Sequence, residues 1–375
     1  MVLEEGFAMK GLTHFGSGLV LCLVAGCESA AVSEAEEEAI AFFQNIQKSD
    51  SVVVFDEHDR VIGGRPAYGM PDGEPIRRYQ REKGDGIITQ VNLDGCKITD
   101  DDLVHLNDLK NVMYLNLADT QVSDAGMVHV GKCDRLRALN LNHTSVTDGG
   151  LAQVKALTDL RVLWLYDVKI TDAGLAHLKG LHKLERLQTY SNEITDTGLA
   201  HLRELTNLRV LSVGSPPITD SGLQYVKKMT SLESLDIGGS HIEGPGLEHL
   251  KGLRNLNSLY ADSCPIVGPG LEHLKGLTKL RNLWLTRTHV NDDGLEHLRG
   301  LTSLEELFLR DTQVSDAGLK HLDKLANLTR LDIVGTRVTW SGAERLQKAL
   351  PKCFVQWVKP GPAPHDFRPP SPMGR

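Results

Sequence analysis

Aromatic residues make up only 5 % of this 375-residue sequence, and cysteines number six. So few cysteines in a chain of this length exclude a disulfide-stapled scaffold, in which dense cross-links compensate for a thin core. Strong positive charge is also missing. The formal net charge is −8, which argues against a nucleic-acid partner. The apolar run that ends in "LCLVAGC", residues 21–27, falls short of the roughly 20 apolar residues that a membrane-spanning helix needs. What remains is 41 % hydrophobic and 24 % charged, the composition of a globular chain long enough for one large or two ordinary domains.

The short apolar run has the shape of an export signal. Glu4 and Glu5 outnumber Lys10 at the start as numbered, a poor beginning for a signal that needs a positive n-region. A chain begun at Met9 has Lys10 in that region, an apolar stretch over 19–24, and the small residues Ala25 and Gly26 just before Cys27. We therefore expect translation to begin at Met9 and 1–26 to be a signal peptide. Leu23-Val24-Ala25-Gly26-Cys27 resembles the bacterial lipoprotein signal. The resemblance implies that Cys27 carries a diacylglycerol thioether and becomes the first mature residue, so that the protein is exported and lipid-anchored to a membrane of the cell envelope. Several acyl chains hold stably where one is marginal. An ordinary cleaved signal with a chance cysteine, and a cytosolic chain with an apolar N-terminus, are the alternatives.

Residues 27–87 form a lipid-attachment segment and an N-terminal cap. Ser33 and Glu36 have capping-box spacing ahead of Ile40, Phe43 and Ile46, which predicts a helix over 34–47. "SVVVF" and "RVIGG" flank the turn "DEHD" as a hairpin would. A Pro- and charge-rich loop follows over 65–85, either solvated or, through Arg77, Arg78, Arg81 and Lys83, a basic contact patch.

From Ile88 the sequence repeats every 24 residues without insertion or deletion, giving eleven units over 88–351. Apolar residues recur at places 1, 4, 6, 11, 16, 19 and 22 of each unit. In "LRNLWLTRTHVNDDGLEHLRGLTS", residues 280–303, the opening alternates with the period of a strand, and Leu295, Leu298 and Leu301 then take up helical spacing. One strand and one helix cannot bury their apolar faces alone, so the units must stack. This pattern resembles the leucine-rich repeat family over about 70 % of the chain. The resemblance implies an α/β solenoid, a horseshoe with parallel strands on the concave face and short helices on the convex face. The "TDxGL" flavour is similar to a subtype of many bacterial repeat proteins and, more distantly, to eukaryotic ubiquitin-ligase substrate receptors, whose adaptor-binding box is not evident here.

Several repeated polar places invite a chemical reading. Place 9 holds Thr at 120, 144, 288, 312 and 336, Cys at 96 and 264, Ser at 240 and Asn at 192, small side chains suited to inward-facing backbone groups. Asp100, Asp124, Asp148, Asp172, Asp196, Asp220, Asp292 and Asp316 would stack as a carboxylate ladder. A line of metal sites is conceivable, but helix starts explain the ladder better, because Thr and Asp open helices and repeats seven and eight substitute "GPG", with Pro245 and Pro269 at a first-turn position. His105, His129, His177, His201, His249, His273, His297 and His321 all hold place 18. Eight copies favour a scaffold ring bonded to the next repeat over a metal or pH-sensing site. Neither metal nor cofactor is expected. Cys96 and Cys264 lie seven repeats apart, roughly 34 Å at strand spacing, too far to pair, and Cys133 and Cys353 belong to core and cap. The segment 352–358, with Val355 and Trp357, reads as a cap strand, and the Pro-rich 359–375 as a disordered tail.

Function must lie where the repeat is unconstrained, on places 3, 5, 7 and 8 of the concave face. At place 5, Tyr260, Trp284 and Phe308 occupy consecutive strands about 5 Å apart. Arg287 and Arg310 adjoin them at places 8 and 7, and a second group comprises Trp164, Tyr166 and Tyr190. Ser212, Gly214, Gly238 and Gly239 leave a trough between the groups. Aromatics with arginine make a recognition surface for a protein or peptide partner, or rows that stack on the sugar rings of a polysaccharide. The bland reading is packing alone. No nucleophile, base and orienting group stand out together, so a non-enzymatic role is expected.

Overall fold

The computed structural model describes residues 90–358 apart from 191–192 and 215–216, together with Glu38, Val54–Phe55 and Val61–Gly63. The expected signal peptide, Cys27, the loop over 65–85 and the Pro-rich tail lie outside the described residues. So does the helix expected over 34–47, except for Glu38, which is helical. Val54–Phe55 and Val61–Gly63 pair antiparallel.

Twelve three-residue strands, from Gln90–Asn92 to Phe354–Gln356, form one open parallel sheet in strict sequence order. Each strand pairs with the next at identical places of the repeat, as in Leu211↔Leu235 and Leu235↔Leu259. The reason is the unbroken 24-residue period: every loop has the same length, so no register shift accumulates. Places 4 and 6 point inward with places 1, 11, 16, 19 and 22, and the buried residues form one continuous core from Val91 to Cys353. At the C-terminal end Val355 and Trp357 pack against that core, and the Trp357 indole donates to the Val338 carbonyl at 2.9 Å.

The convex elements are short and divide between α-helices, such as Asp172–Ala176, and 3-10 helices, such as Pro245–Leu250 and Gly268–Leu274. The apolar spacing explains their shortness. Places 16, 19 and 22 are three residues apart, the period of a 3-10 helix, which a 3.6-residue helix follows for only a turn or two. In most α-helical repeats the place-12 side chain caps the helix; Thr195 Oγ1 accepts from the Thr197 N–H at 3.2 Å, and Asn291 Oδ1 from the Gly294 N–H at 3.2 Å.

Strand exits are equally regular. The place-8 residue is left-handed at Asp119, His143, Asp167, Ser263, Arg287 and Asp311, with φ between 52° and 59°, and at Gly95, Gly239 and Gly335. This turns the chain out of the sheet while its N–H still donates to the next repeat, as His143 does to the Tyr166 carbonyl at 2.9 Å. The place-9 hydroxyl then closes the turn: Thr120, Thr144, Ser240, Thr288, Thr312 and Thr336 each donate to the place-6 carbonyl at 2.6–2.7 Å. Cys264 takes the same place with its thiol 3.2 Å from the Ile237 carbonyl of the preceding repeat. Cys96, Cys133, Cys264 and Cys353 are all free thiols. Burial pushes the Cys133 and Cys353 thiols up to about 11.

No helix among the described residues is long and apolar enough to cross a membrane.

Candidate functional site

The concave face is built from places 3, 5 and 7, and its first constraint is a backbone N–H. The place-7 N–H points away from the core and needs an acceptor. Where place 5 is Asn or Asp, its own carbonyl or carboxylate serves: Asn116, Asn140, Asp236 and Asp332 accept from the residue two positions on at 2.9–3.0 Å. An aromatic ring cannot do this. In repeats 4 and 9, which carry Trp164 and Trp284 at place 5, the N–H groups of Tyr166 and Thr286 donate instead to the preceding repeat's place 7. The acceptors are Asn142 at 2.7 Å and Asp262 at 2.8 Å. A tryptophan in one repeat is thus accommodated by an Asn or Asp in the repeat before it. Patterning within one unit does not reveal this pairing, although its signal, Asn142 ahead of Trp164 and Asp262 ahead of Trp284, is in the sequence.

Tyr260, Trp284 and Phe308 are register partners on three adjacent strands. Their rings interlock rather than stand free. The Tyr260 and Trp284 centroids are 5.1 Å apart and near perpendicular, and those of Trp284 and Phe308 are 4.6 Å apart at 47°. Phe308 is only 8 % exposed, covered in part by the Arg330 guanidinium 4.9 Å from its centroid. Arg330, at place 3, is a member of the cluster that sequence reasoning missed. The Trp284 Nε1 is buried without a hydrogen-bond partner among the described residues.

In the second group Tyr166 and Tyr190 stack almost parallel, 5.4 Å apart at 9°. His143 meets Tyr166 edge-on at 5.0 Å and holds Asp167 Oδ2 at 3.2 Å through Nδ1. Trp164 lies apart from this stack. It is 9 % exposed and packs with Ala138, Val162 and Tyr114, so it supports the face instead of lining it. The two arginines also differ. Arg287 projects from a left-handed turn, 71 % exposed and 3.7 Å from Asp311, whereas Arg310 holds Asp332 Oδ2 through Nε and Nη2 at 3.1 and 3.0 Å.

The trough is narrower than its glycines suggest. The Tyr190 ring leans across Gly214, with a ring carbon 2.9 Å from where a Cβ would stand, so Gly214 makes room for that ring. Its floor is Gly238, where a Cβ would stand 3.3 Å from Asp236 Oδ1 and 3.5 Å from the Asp262 carbonyl oxygen. Asp236 Oδ2 accepts from Ser212 Oγ at 3.0 Å, and burial raises both carboxyls above their ordinary range, with the Asp236 charge raising Asp262 further.

The repeated ladders are structural. Each place-13 carboxylate joins its repeat to the next: Asp148 accepts from the Thr171 N–H and hydroxyl at 2.8 and 2.6 Å, and Asp172 from those of Thr195 at 2.8 and 2.6 Å. Both oxygens face donors, the opposite of what a cation requires. Among the described residues no three His, Cys, Asp or Glu side chains gather as a metal site. The histidines are half-buried, but bonding to the next repeat is not their rule: His129 Nδ1 pairs with Asn107 of the preceding repeat at 3.0 Å, and His297 Nδ1 is buried without a partner among the described residues. A groove of about 590 Å³ runs along the edge where the convex elements lead into the strands. Arg281 pairs with Glu305 and Arg209 with Glu233, and Lys279 donates to Asn255 at 2.8 Å.

A family model described as Leucine Rich repeat matches residues 228–251. Among curated protein sequences, none is similar enough to match. Among solved structures the chain is similar to an internalin from Listeria monocytogenes, at 24 % identity over 73 % of this chain and 88 % of that one, with a TM-score of 0.52. It is also similar to a TDR receptor, at 17 % identity over 73 % of this chain and 47 % of that one, with a TM-score of 0.53. A plant peptide hormone receptor in complex with RGF2 matches at 18 % identity over 72 % and 48 % of the two chains, with a TM-score of 0.49. At identities this low the internalin and the TDR receptor speak to architecture, and with the matched repeat and the open twelve-stranded parallel sheet they lead to one conclusion: this chain has the leucine-rich repeat solenoid fold.

Proposed function

We propose that this chain is a non-enzymatic binding scaffold, exported and anchored to a membrane of the cell envelope through a lipid on Cys27, that holds a protein or peptide partner on its concave face. The observation that carries the reading is the row Tyr260–Trp284–Phe308, three interlocked rings at a place where the scaffold itself uses Asn or Asp. Tyr166, Tyr190, Tyr260 and Trp284 supply the contact area, Trp164 and Phe308 back them, and Arg287 and Arg310 border them.

Replacing Tyr260, Trp284 and Phe308 together by Ser should abolish retention of the partner captured from envelope extract, with circular dichroism showing an intact fold. A buried hot-spot aromatic is worth more than about 2 kcal/mol, roughly thirty-fold in affinity. Replacing the convex His249 and His273 should change nothing. Normal binding by the aromatic variant and failure of the histidine variant would place the working surface on the convex side. Competition by soluble glycans would move the reading to a polysaccharide partner, on whose rings the same rows stack.

The anchor has its own test. In a lipoprotein-competent bacterium the native chain should fractionate with membranes and carry an acyl adduct by intact mass, and Cys27→Ser should do neither. Two soluble, unmodified proteins would remove the lipid from the proposal.

A further inference from the structure

Resting on the concave-face reading, we infer that the partner is an extended peptide segment that lays a basic side chain, arginine or lysine, into the slot between Tyr190 and Tyr260 over Asp236, Gly238 and Asp262.

The argument begins with two charges the scaffold does not need. At place 5 the task of the side chain is to accept the place-7 N–H, and Asn116 and Asn140 do this with a neutral amide at 3.0 Å. At place 7 the task is to accept from the next repeat, and Asn142 does this at 2.7 Å. Repeats 7 and 8 perform the same two tasks with Asp236 and Asp262. An amide would serve equally well there and would avoid placing like charges on neighbouring strands.

The same molecule shows what a compensated carboxylate looks like on this face. Asp332, also at place 5, is held by Arg310 at 3.0 Å. Among the described residues no cation bridges Asp236 or Asp262; their bonds go to neutral donors, Ser212, Gly238 and Thr286. Their surroundings suit a cation from outside. Asp236 and Tyr260 are register partners, and Asp262 projects two residues beyond Tyr260 on the same face. Gly238 lies on the floor beside them, where a Cβ would stand 3.3 Å from Asp236 Oδ1 and 3.5 Å from the Asp262 carbonyl oxygen, with the Tyr190 ring leaning in over Gly214 on the far side. A guanidinium or ammonium entering there would have the Asp236 and Asp262 carboxylates and the Tyr190 and Tyr260 rings as its neighbours. Neighbouring apolar residues of the peptide would reach Tyr260 and Trp284 along the row.

The test uses the full chain and a random peptide display library. Binders should carry arginine or lysine at one fixed position, and their retention should require Tyr260, Trp284 and Phe308. For the best synthetic binder, exchanging that basic residue for glutamine should weaken binding to the native protein by about tenfold or more and change little against Asp236→Asn/Asp262→Asn. The asparagine variant keeps the hydrogen bonds seen at Asn116, Asn140 and Asn142. It should also be at least as heat-stable at pH 7. Folded carboxyls raised above their unfolded values contribute stability at low pH that is lost as pH rises through the folded values, and the amides carry no such loss. Binders that need the aromatic row but carry no basic residue would overturn the cation slot and leave the concave reading standing. Binders indifferent to the row, or none at all, would overturn both.

Discussion

Gly198→Ala should destabilise the protein by roughly 2–4 kcal/mol, although the same change in most helices gains about 1 kcal/mol of helix propensity. Gly198 sits in the helix Asp196–Leu202. A Cβ there would stand 2.4 Å from Asp172 Oδ1 and 2.8 Å from Ile194 Cγ2. The carboxylate cannot simply swing aside, because it accepts both the N–H and the hydroxyl of Thr195, and hydrogen bonds to a charged group are worth about 1.5–3 kcal/mol. Crowding the side chain of Ile194 adds about 1–3 kcal/mol. The opposing propensity gain is smaller than either loss at its upper end, so the sign reverses. Gly180→Ala is the control: nothing lies within 4 Å of its Cβ position, and it should be neutral or gain up to about 1 kcal/mol. Urea unfolding of the two variants decides the matter. Equal stabilities would mean that the aspartate link between repeats is slack.

This link also shows which parts of the sequence were legible. The "TDxG" run reads as a helix start within one unit, and Thr195 does cap its helix. Its other half spans two units: Asp172 serves the following Thr195, and Gly198 clears the space that Asp172 occupies. Core places, strand positions and the role of Thr at place 9 could be read because each depends on one repeat and recurs at a fixed interval. The concave face could be read only in part. Its aromatics were identifiable from place 5, but strands spaced about 4.8 Å apart press neighbouring side chains together, so that Phe308 and Trp164 are largely covered. Part of the cover comes from other repeats, Arg330 over Phe308 and Ala138 in the cluster of Trp164. The pairing of Arg310 with Asp332 was hidden for the same reason, since it joins place 7 of one unit to place 5 of the next. Charge compensation and crowding are properties of neighbouring units, and a repeat consensus averages over them.

Leu235→Ala should cost about 3–5 kcal/mol, the upper range for a buried leucine, because the site has little room to collapse. Leu235 is fully buried at place 4 of repeat 7, between its register partners Leu211 and Leu259. In a stacked array each inner unit belongs to two interfaces, so a cavity there weakens both at once. Leu346, 3 % exposed in the last helix, Trp340–Ala349, has a repeat on one side only, and Leu346→Ala should cost about 2–3 kcal/mol and fray the end alone. The position of repeat 7 adds a functional consequence. It separates Tyr166 and Tyr190 from Tyr260, Trp284 and Phe308, so a weakened layer there divides the concave face into halves that unfold independently. Urea denaturation of chains retaining only Trp164 or only Trp284 as the fluorescent probe should give coincident transitions with Leu235 intact and separated transitions with Leu235→Ala. A single coincident transition with a loss below about 2 kcal/mol would show that the neighbouring leucines close the cavity and that the two halves are coupled through more than this layer.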